Sequence, residues 1–193
     1  NLLTMTSGLN DESNLVIQSN LTYLADAGTR WSYHNVFQKL MDVVADASNQ
    51  EFETYFNAKI KNKLGMDGFW DNGIIFKIYN SNTRSMARFG LLALNKGKWK
   101  NETIINETFF NQSISTSQNI NPSYGYLWWL NGKGSYMVPG GQTVYPTNLV
   151  PDAPLDMYAA MGAEDQRIYV VPSKNMVVIR MGNASDPSNP NFA

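Results

Sequence analysis

Cysteine is absent from the 193 residues, and histidine occurs once, at position 34. The first absence excludes a disulfide scaffold, a Cys-ligated zinc and a thiol nucleophile; the second excludes any site that needs two imidazoles. Charge is scarce as well. Only 16% of residues are charged, against about 25% in an average soluble protein. With 15 Lys+Arg against 16 Asp+Glu the net charge is -1, so no basic surplus marks a nucleic-acid partner. The local run Lys96-Gly97-Lys98-Trp99-Lys100 therefore reads as a solvated helix end. No apolar run approaches the roughly 18 residues of a membrane span, and the longest, Tyr124 to Leu130, is strand-sized. There is no Gly-x-Ser-x-Gly elbow, no Walker loop and no HExxH, and Gly132-x-Gly134 meets Met137 where a third glycine would have to sit. No nucleotide or zinc chemistry is signposted. The opening Asn1-Leu2-Leu3-Thr4-Met5 lacks an initiator Met and a signal-peptide pattern, reads like the interior of an element, and suggests a natural start further upstream.

What is present is a globular composition, 43% hydrophobic, with periodicity that changes along the chain. Val36, Leu40, Val43, Val44 and Ala47 form one stripe of an amphipathic helix. A second stripe, Phe52, Tyr55, Phe56, Ile60 and Leu64, ends at Gly65, a left-handed cap position. The spacing predicts a third helix, apolar almost all round and so buried, over Thr83 to Asn95, and a weaker fourth over Glu102 to Gln112. Thereafter Tyr124–Leu130, Met157–Met161, Arg167–Val171 and Met176–Met181 are strand-like, the last two joined by Pro172-Ser173-Lys174-Asn175. Helices first and an antiparallel sheet last make the expected class α+β. The expected division is 1–122, mainly helical, and 123–182, antiparallel strands interrupted by a long 131–156 loop, followed by a flexible 183–193 tail.

The candidate chemistry lies in Trp31-Ser32-Tyr33-His34-Asn35, just before the first helix. In extended backbone residues i and i+2 point the same way, so Tyr33 and Asn35 can present a phenol and a carboxamide together, with His34 turned away as a structural or rim residue. The second Tyr-x-Asn, Tyr55 to Asn57, falls mid-helix and is set aside. Ser7 sits in a Ser-Gly turn without a nearby Lys or His in sequence, a poor nucleophile. Trp128 and Trp129 read as core and cleft wall, or as a saccharide platform; Glu164-Asp165-Gln166 reads equally as a cleft rim touching substrate or as a polar turn. Five Asn-x-Ser/Thr sequons occur among 23 asparagines and mark surface positions at most.

Taken in order, Leu2-Leu3-Thr4-Met5-Thr6-Ser7-Gly8-Leu9, Gly28-Thr29-Arg30-Trp31-Ser32-Tyr33-His34-Asn35, Leu64-Gly65-Met66, Ser85 to Leu92, Tyr124-Gly125-Tyr126-Leu127-Trp128-Trp129 and the closing hairpin resemble the serine β-lactamase and penicillin-binding-protein superfamily. The resemblance is to its class C-like branch, the esterase and 6-aminohexanoate-oligomer-hydrolase-like members in particular, and spans Leu2 to about Gly182. It implies a β-lactamase/transpeptidase-like fold and acyl-enzyme chemistry on a small ester, amide or lactam, without metal or cofactor. In that reading Tyr33 is a general base or proton relay, Asn35 holds substrate or orients a lysine, and Ala160-Met161-Gly162 is the cleft strand motif. The backbone N–H of Ala163 becomes an oxyanion donor, and Ala160, Gly162, Glu164 and Trp128 border the substrate. Two departures stand out. Ala160 replaces the usual Lys or His, so the cation for a substrate carboxylate is missing unless Arg167 or Arg30 compensates. No lysine has a serine three residues before it, so the family's Ser-x-x-Lys is not in this sequence. The resemblance places that motif upstream of Leu2, in a segment that would be the chain's own partner, and implies an extracytoplasmic, often periplasmic, setting. The rival reading is a non-catalytic binding or sensing module for cell-wall peptides; a carbohydrate-binding module comes last.

Overall fold

The computed structural model describes residues 1–13, 15–73 and 77–186. Its centre is a four-stranded antiparallel sheet of order β5-β6-β7-β8, formed by Trp129–Leu130, Tyr158–Met161, Arg167–Val171 and Met176–Arg180. Strand alternation sorts the side chains into two faces. Leu130, Tyr158, Ala160, Ile168, Val170, Val177 and Ile179 pack with Phe89, Ala93 and Phe110 of the helices. Trp129 and Met161 belong instead to a second cluster with Met5, Trp31, Tyr33 and Tyr124. Arg167 is the register partner of Met161 and of Arg180, which places these residues on that second face.

The helix-side layer is α4 (Thr83–Leu94), started by the Asn82 side chain accepting from the Ser85 amide at 2.8 Å. The helix is amphipathic rather than buried all round: Leu92 and Ala93 are buried while Leu91 is exposed on the far side. Gly90 lets it lie close to the sheet, since a Cβ there would stand 2.5 Å from Val177 Cγ1 and 3.1 Å from Ile168 Cγ2. α5 is Glu107–Ser113, capped by Asn106. The residues expected to open that helix are instead extended: Glu102–Thr103 (β4) pairs with Lys98–Trp99 (β3), and the Asn106 cap sets the later start.

The first predicted helix appears as a 3-10 turn, Asn35–Gln38, followed by α1, Lys39–Ser48. Only Val36 of its apolar stripe is buried, and Val43 is 51% exposed. The second is α2 (Phe52–Phe56) and α3 (Asn62–Leu64), joined by a π turn over Asn57–Lys61 and stopped by left-handed Gly65. Against it stands a hairpin the sequence did not announce, β1 (Gly68–Asn72) with β2 (Lys77–Ser81), held by a box of Phe52, Phe56, Trp70 and Tyr79 rings at centroid separations of 5.0–6.3 Å.

Tyr124 to Leu130 is not one strand. Leu127 takes φ 61° and the Gly125 amide donates to the Trp128 carbonyl at 2.8 Å, so the segment folds back and Tyr124 pairs with Trp129. The long 131–156 segment is ordered by its first residue. Asn131, 2% exposed, donates to the carbonyls of Val150, Ala153 and Pro154 at 3.0–3.2 Å and accepts from the Val150 amide. Within the segment expected to be a flexible tail, Ser185 is bonded to Asp165 through both its amide and its hydroxyl. Its remainder, 187–193, lies outside the described residues.

Candidate functional site

The segment from Arg30 to His34 runs extended, and alternation decides what each side chain meets. Trp31, fully buried, and Tyr33 enter the aromatic cluster; Arg30, Ser32 and His34 enter a polar niche on the other side with Asp11. Tyr33 stacks on Trp129 (5.7 Å, 23°) and meets the edges of Tyr124 and Phe37 at 6.1 Å. This places the phenol on a rigid aromatic floor formed by the turned-back 124–130 segment. His34 has φ -149° and ψ 161°, the extended geometry that puts Tyr33 and Asn35 on one side and the imidazole on the other. Asn35 then opens the 3-10 turn leading into α1.

The polar niche encloses only about 10 Å³, room for no more than a water. Asp11 accepts from Arg30 and Ser32. Burial pushes its carboxyl up, but those hydrogen bonds and the Arg30 charge outweigh it and hold the pKa below the ordinary value. Burial holds His34 below the usual imidazole value, with Asp11 opposing. Arg30 is thus committed to Asp11, and Ser7 accepts from the Leu9 amide as a turn residue.

At the other end of the site, β6 runs into a tight turn. The Gln166 amide donates to the Ala163 carbonyl and the Gly162 amide to the Gln166 carbonyl, with Glu164 and Asp165 both left-handed at φ 56° and 57°. Arg167, 4% exposed, closes the turn: one terminal nitrogen bonds to the Gly162 carbonyl, the other to Asp165 Oδ1 at 2.8 Å. Asp165 is held below the usual carboxylate range by the Ser185 amide and hydroxyl first, then by Arg167 and Arg180. Among the described residues the Ala163 amide has no backbone partner, and Ala163 itself is exposed. Gly162 has a φ outside the left-handed region, and an added Cβ would meet nothing nearer than 3.5 Å. The fold itself does not require a glycine there.

Tyr33 shares its cluster with Met161, the register partner of Arg167. Burial pushes its phenol above the ordinary value, and the Arg167 guanidinium pulls it back down in part. Tyr33 and Asn35 lie at one end of this region and Gly162 and Ala163 at the other, while three further residues of the sequence reading lie elsewhere. Ala160 lies on the helix side of β6, packed in the other core, so a cation at 160 would enter that core in this register. The cations on Tyr33's side of the sheet are Arg167 and Arg180. Trp128 is also on the helix side, with Phe89, Phe110 and Tyr158, beside an apolar cavity of about 110 Å³; its neighbour Trp129 is the site-side ring. Glu164 is a turn residue whose carbonyl accepts from Gln166 and Arg180. The roles of Asp165 and Ser185 as holders of Arg167 were missed; the visible signal was only an acid two residues before an arginine at a strand entrance. Among the described residues there is no grouping of three or more His, Asp or Glu able to hold a metal ion, and no helix long and apolar enough to cross a membrane.

No family model matches this chain, and no curated protein matches it. Solved structures do. A β-lactamase from Mycobacterium bovis is 18% identical, with a TM-score of 0.71 over 98% of this chain and 67% of its own. A protein from Bacteroides dorei assigned as a β-lactamase is 15% identical, TM-score 0.67, over 97% of this chain and 65% of its own. One from Bacillus anthracis assigned as a 6-aminohexanoate-dimer hydrolase is 19% identical, TM-score 0.67, over 89% and 43%. The chain thus spans about half to two thirds of the length of the structures it is similar to.

Proposed function

The chain has the fold of the serine β-lactamases and penicillin-binding proteins over the part it spans, and from that premise we propose that it is the C-terminal portion of a serine hydrolase that opens an ester, amide or lactam bond through an acyl-enzyme. The observation that carries the reading is geometric: Tyr33, stacked on Trp129 and clustered with Met161, and Arg167, which pairs with Met161 and holds the Gly162 carbonyl, share one face of the sheet. The nucleophile is a Ser-x-x-Lys serine from outside this sequence. Its Oγ attacks the carbonyl carbon and its proton passes to the Tyr33–lysine pair. The carbonyl oxygen becomes an oxyanion facing the Ala163 N–H. Collapse expels the alcohol or amine, which takes that proton, and water then releases the acid by the same steps. In this chain alone burial moves the Tyr33 phenol still further from ionising at neutral pH; an ammonium brought beside it lowers its pKa and makes it an effective relay. Asn35 orients that ammonium or the substrate amide. An extracytoplasmic setting and a small-molecule substrate accompany the reading.

Gly162 supports it independently, because a glycine the fold does not need is accounted for by close approach of a ligand to the strand end. The upward shift that burial gives the phenol favours a second reading, a binding module for cell-wall peptides in which Tyr33 only donates a hydrogen bond. Intact-mass analysis before and after a fluorophosphonate separates the two. A species longer than 193 residues gaining one adduct supports the hydrolase; an unlabelled species that retains peptide affinity supports the binding module.

A further inference from the structure

A trans peptide unit carries its C=O and N–H on opposite sides of one plane, so whatever grips the oxygen also aims the hydrogen. The unit between residues 162 and 163 has the Gly162 carbonyl on one side and the Ala163 N–H on the other. The carbonyl is gripped by Arg167, whose guanidinium is fixed by the 2.8 Å bond to Asp165 Oδ1. Asp165 is fixed in turn by the Ser185 amide and hydroxyl on its other oxygen, both at 2.8 Å, with Arg180 at 3.7 Å. Arg180 also donates to the carbonyls of Glu164 and Asp165, holding the two consecutive left-handed residues that shape the turn.

We propose that Arg167 is the positioning residue of the oxyanion donor: by holding the Gly162 carbonyl it fixes the plane of the Gly162–Ala163 peptide, aims the Ala163 N–H away from the protein, and polarises it. This rests on the acyl-enzyme reading and deepens it. A charge-assisted bond to the carbonyl draws electron density from the amide nitrogen, so the N–H on the far side becomes a stronger donor. Preorganisation is what makes such a donor effective, because it costs no reorientation when the oxyanion forms. Two bonds are needed, one to each terminal nitrogen, and a lysine has no second nitrogen to supply the other. The Asp165–Ser185 pair serves as the anchor that keeps the fork from rotating. None of these residues needs to touch substrate.

The test has two arms. In the serine-bearing protein at its full length, the amide proton of Ala163 is followed by NMR in the wild type, Arg167→Lys, Arg167→Gln and Ser185→Ala. The expected result is an upfield shift of that proton in the Arg167 variants and a smaller one in Ser185→Ala, with the amides of Val170 and Val177 unmoved. In the serine-bearing full-length protein, hydrolysis of a p-nitrophenyl ester is expected to fall about 10- to 100-fold in kcat with KM within about twofold, and Arg167→Lys not to rescue it. An unmoved Ala163 proton together with wild-type kcat in the variants overturns the positioning role while leaving the hydrolase reading intact. A wild-type protein that takes no fluorophosphonate and turns over no ester overturns the hydrolase reading, and with it the catalytic purpose of the peptide. Should the Arg167 variants fail to fold, Ser185→Ala decides: it loosens the anchor at the periphery of the turn, and an unchanged Ala163 proton and kcat there overturn the proposal.

Discussion

Tyr33 shows how one side chain can be read twice. Its ring is structural, stacked on Trp129 in the second core, while its hydroxyl is the group offered for proton transfer. Tyr33→Phe should therefore leave the thermal midpoint within a few degrees and, in the serine-bearing protein, lower kcat by about 10²- to 10⁴-fold. Because burial raises its pKa, as it does those of Tyr124 and Tyr158, phenolate absorbance near 295 nm (roughly the usual wavelength) should lag behind an ordinary tyrosine, which titrates near 10, and Tyr33→Phe should reduce that late component by one tyrosine. Gly162 separates fold from function at the same scale. Gly162→Ala fits sterically, so stability should hold or rise by about 0.4–1 kcal/mol, while turnover falls; equal loss of both would remove the glycine from the site. The pairing of Tyr33 with Asn35 was legible because alternation in extended backbone is a local rule. The displacement of Ala160 was not: a resemblance aligns residues along a strand but does not say which face each one occupies, and that depends on pairing with β5 and β7.

Among the elements, α4 is placed by what it lacks. At Gly90 the helix approaches β7 and β8 so closely that a methyl would press on Val177 and Ile168, both β-branched and slow to yield. Gly90→Ala should cost about 1–3 kcal/mol despite the better helix propensity of alanine, read as a lower denaturant midpoint at unchanged m-value. The helix itself was visible from its 3.6-residue pattern and from Gly97 beyond its end. Its exposed side was not, since Leu91 is apolar but faces solvent. The two small hairpins escaped for a different reason: β3 and β4 have two residues each, too short for any period, and β1–β2 is held by packing of its Trp70 and Tyr79 on Phe52 and Phe56 of the preceding helix, a tertiary contact that no period along the strands reports. The fold-back at Leu127 is a tertiary override, a left-handed leucine imposed by the pairing of Tyr124 with Trp129.

For the whole molecule, the turn network links stability to acidity. Asp165 has its pKa depressed in the folded state, so its contribution is present in full above the unfolded carboxylate value near 3.9 and is lost as pH falls through the lower folded value. Thermal midpoints should therefore drop below about pH 4, more steeply in the wild type than in Asp165→Asn, which has already lost that contribution at neutral pH. Equal slopes would show that the network does not bear on global stability. Asn131 acts at the same scale, tying its own segment to residues 19–23 positions away. Asn131→Ala removes the one side chain that satisfies three carbonyls and should expose the stretch around Gly140–Val144 to proteolysis before the sheet unfolds.

β8 lies at the edge of the sheet, and its outward residues Met176 and Val178 are each 42% exposed. Among the described residues the outer edge of this five-residue strand has no ladder partner, and beside exposed apolar side chains it forms a template for a second copy of the same strand, with Arg180 as the strand's one charged residue. The practical consequence is colloidal: the 193-residue polypeptide should self-associate with rising concentration as measured by light scattering, and Val178→Lys, which sets a charge in the middle of that edge, should keep it dispersed.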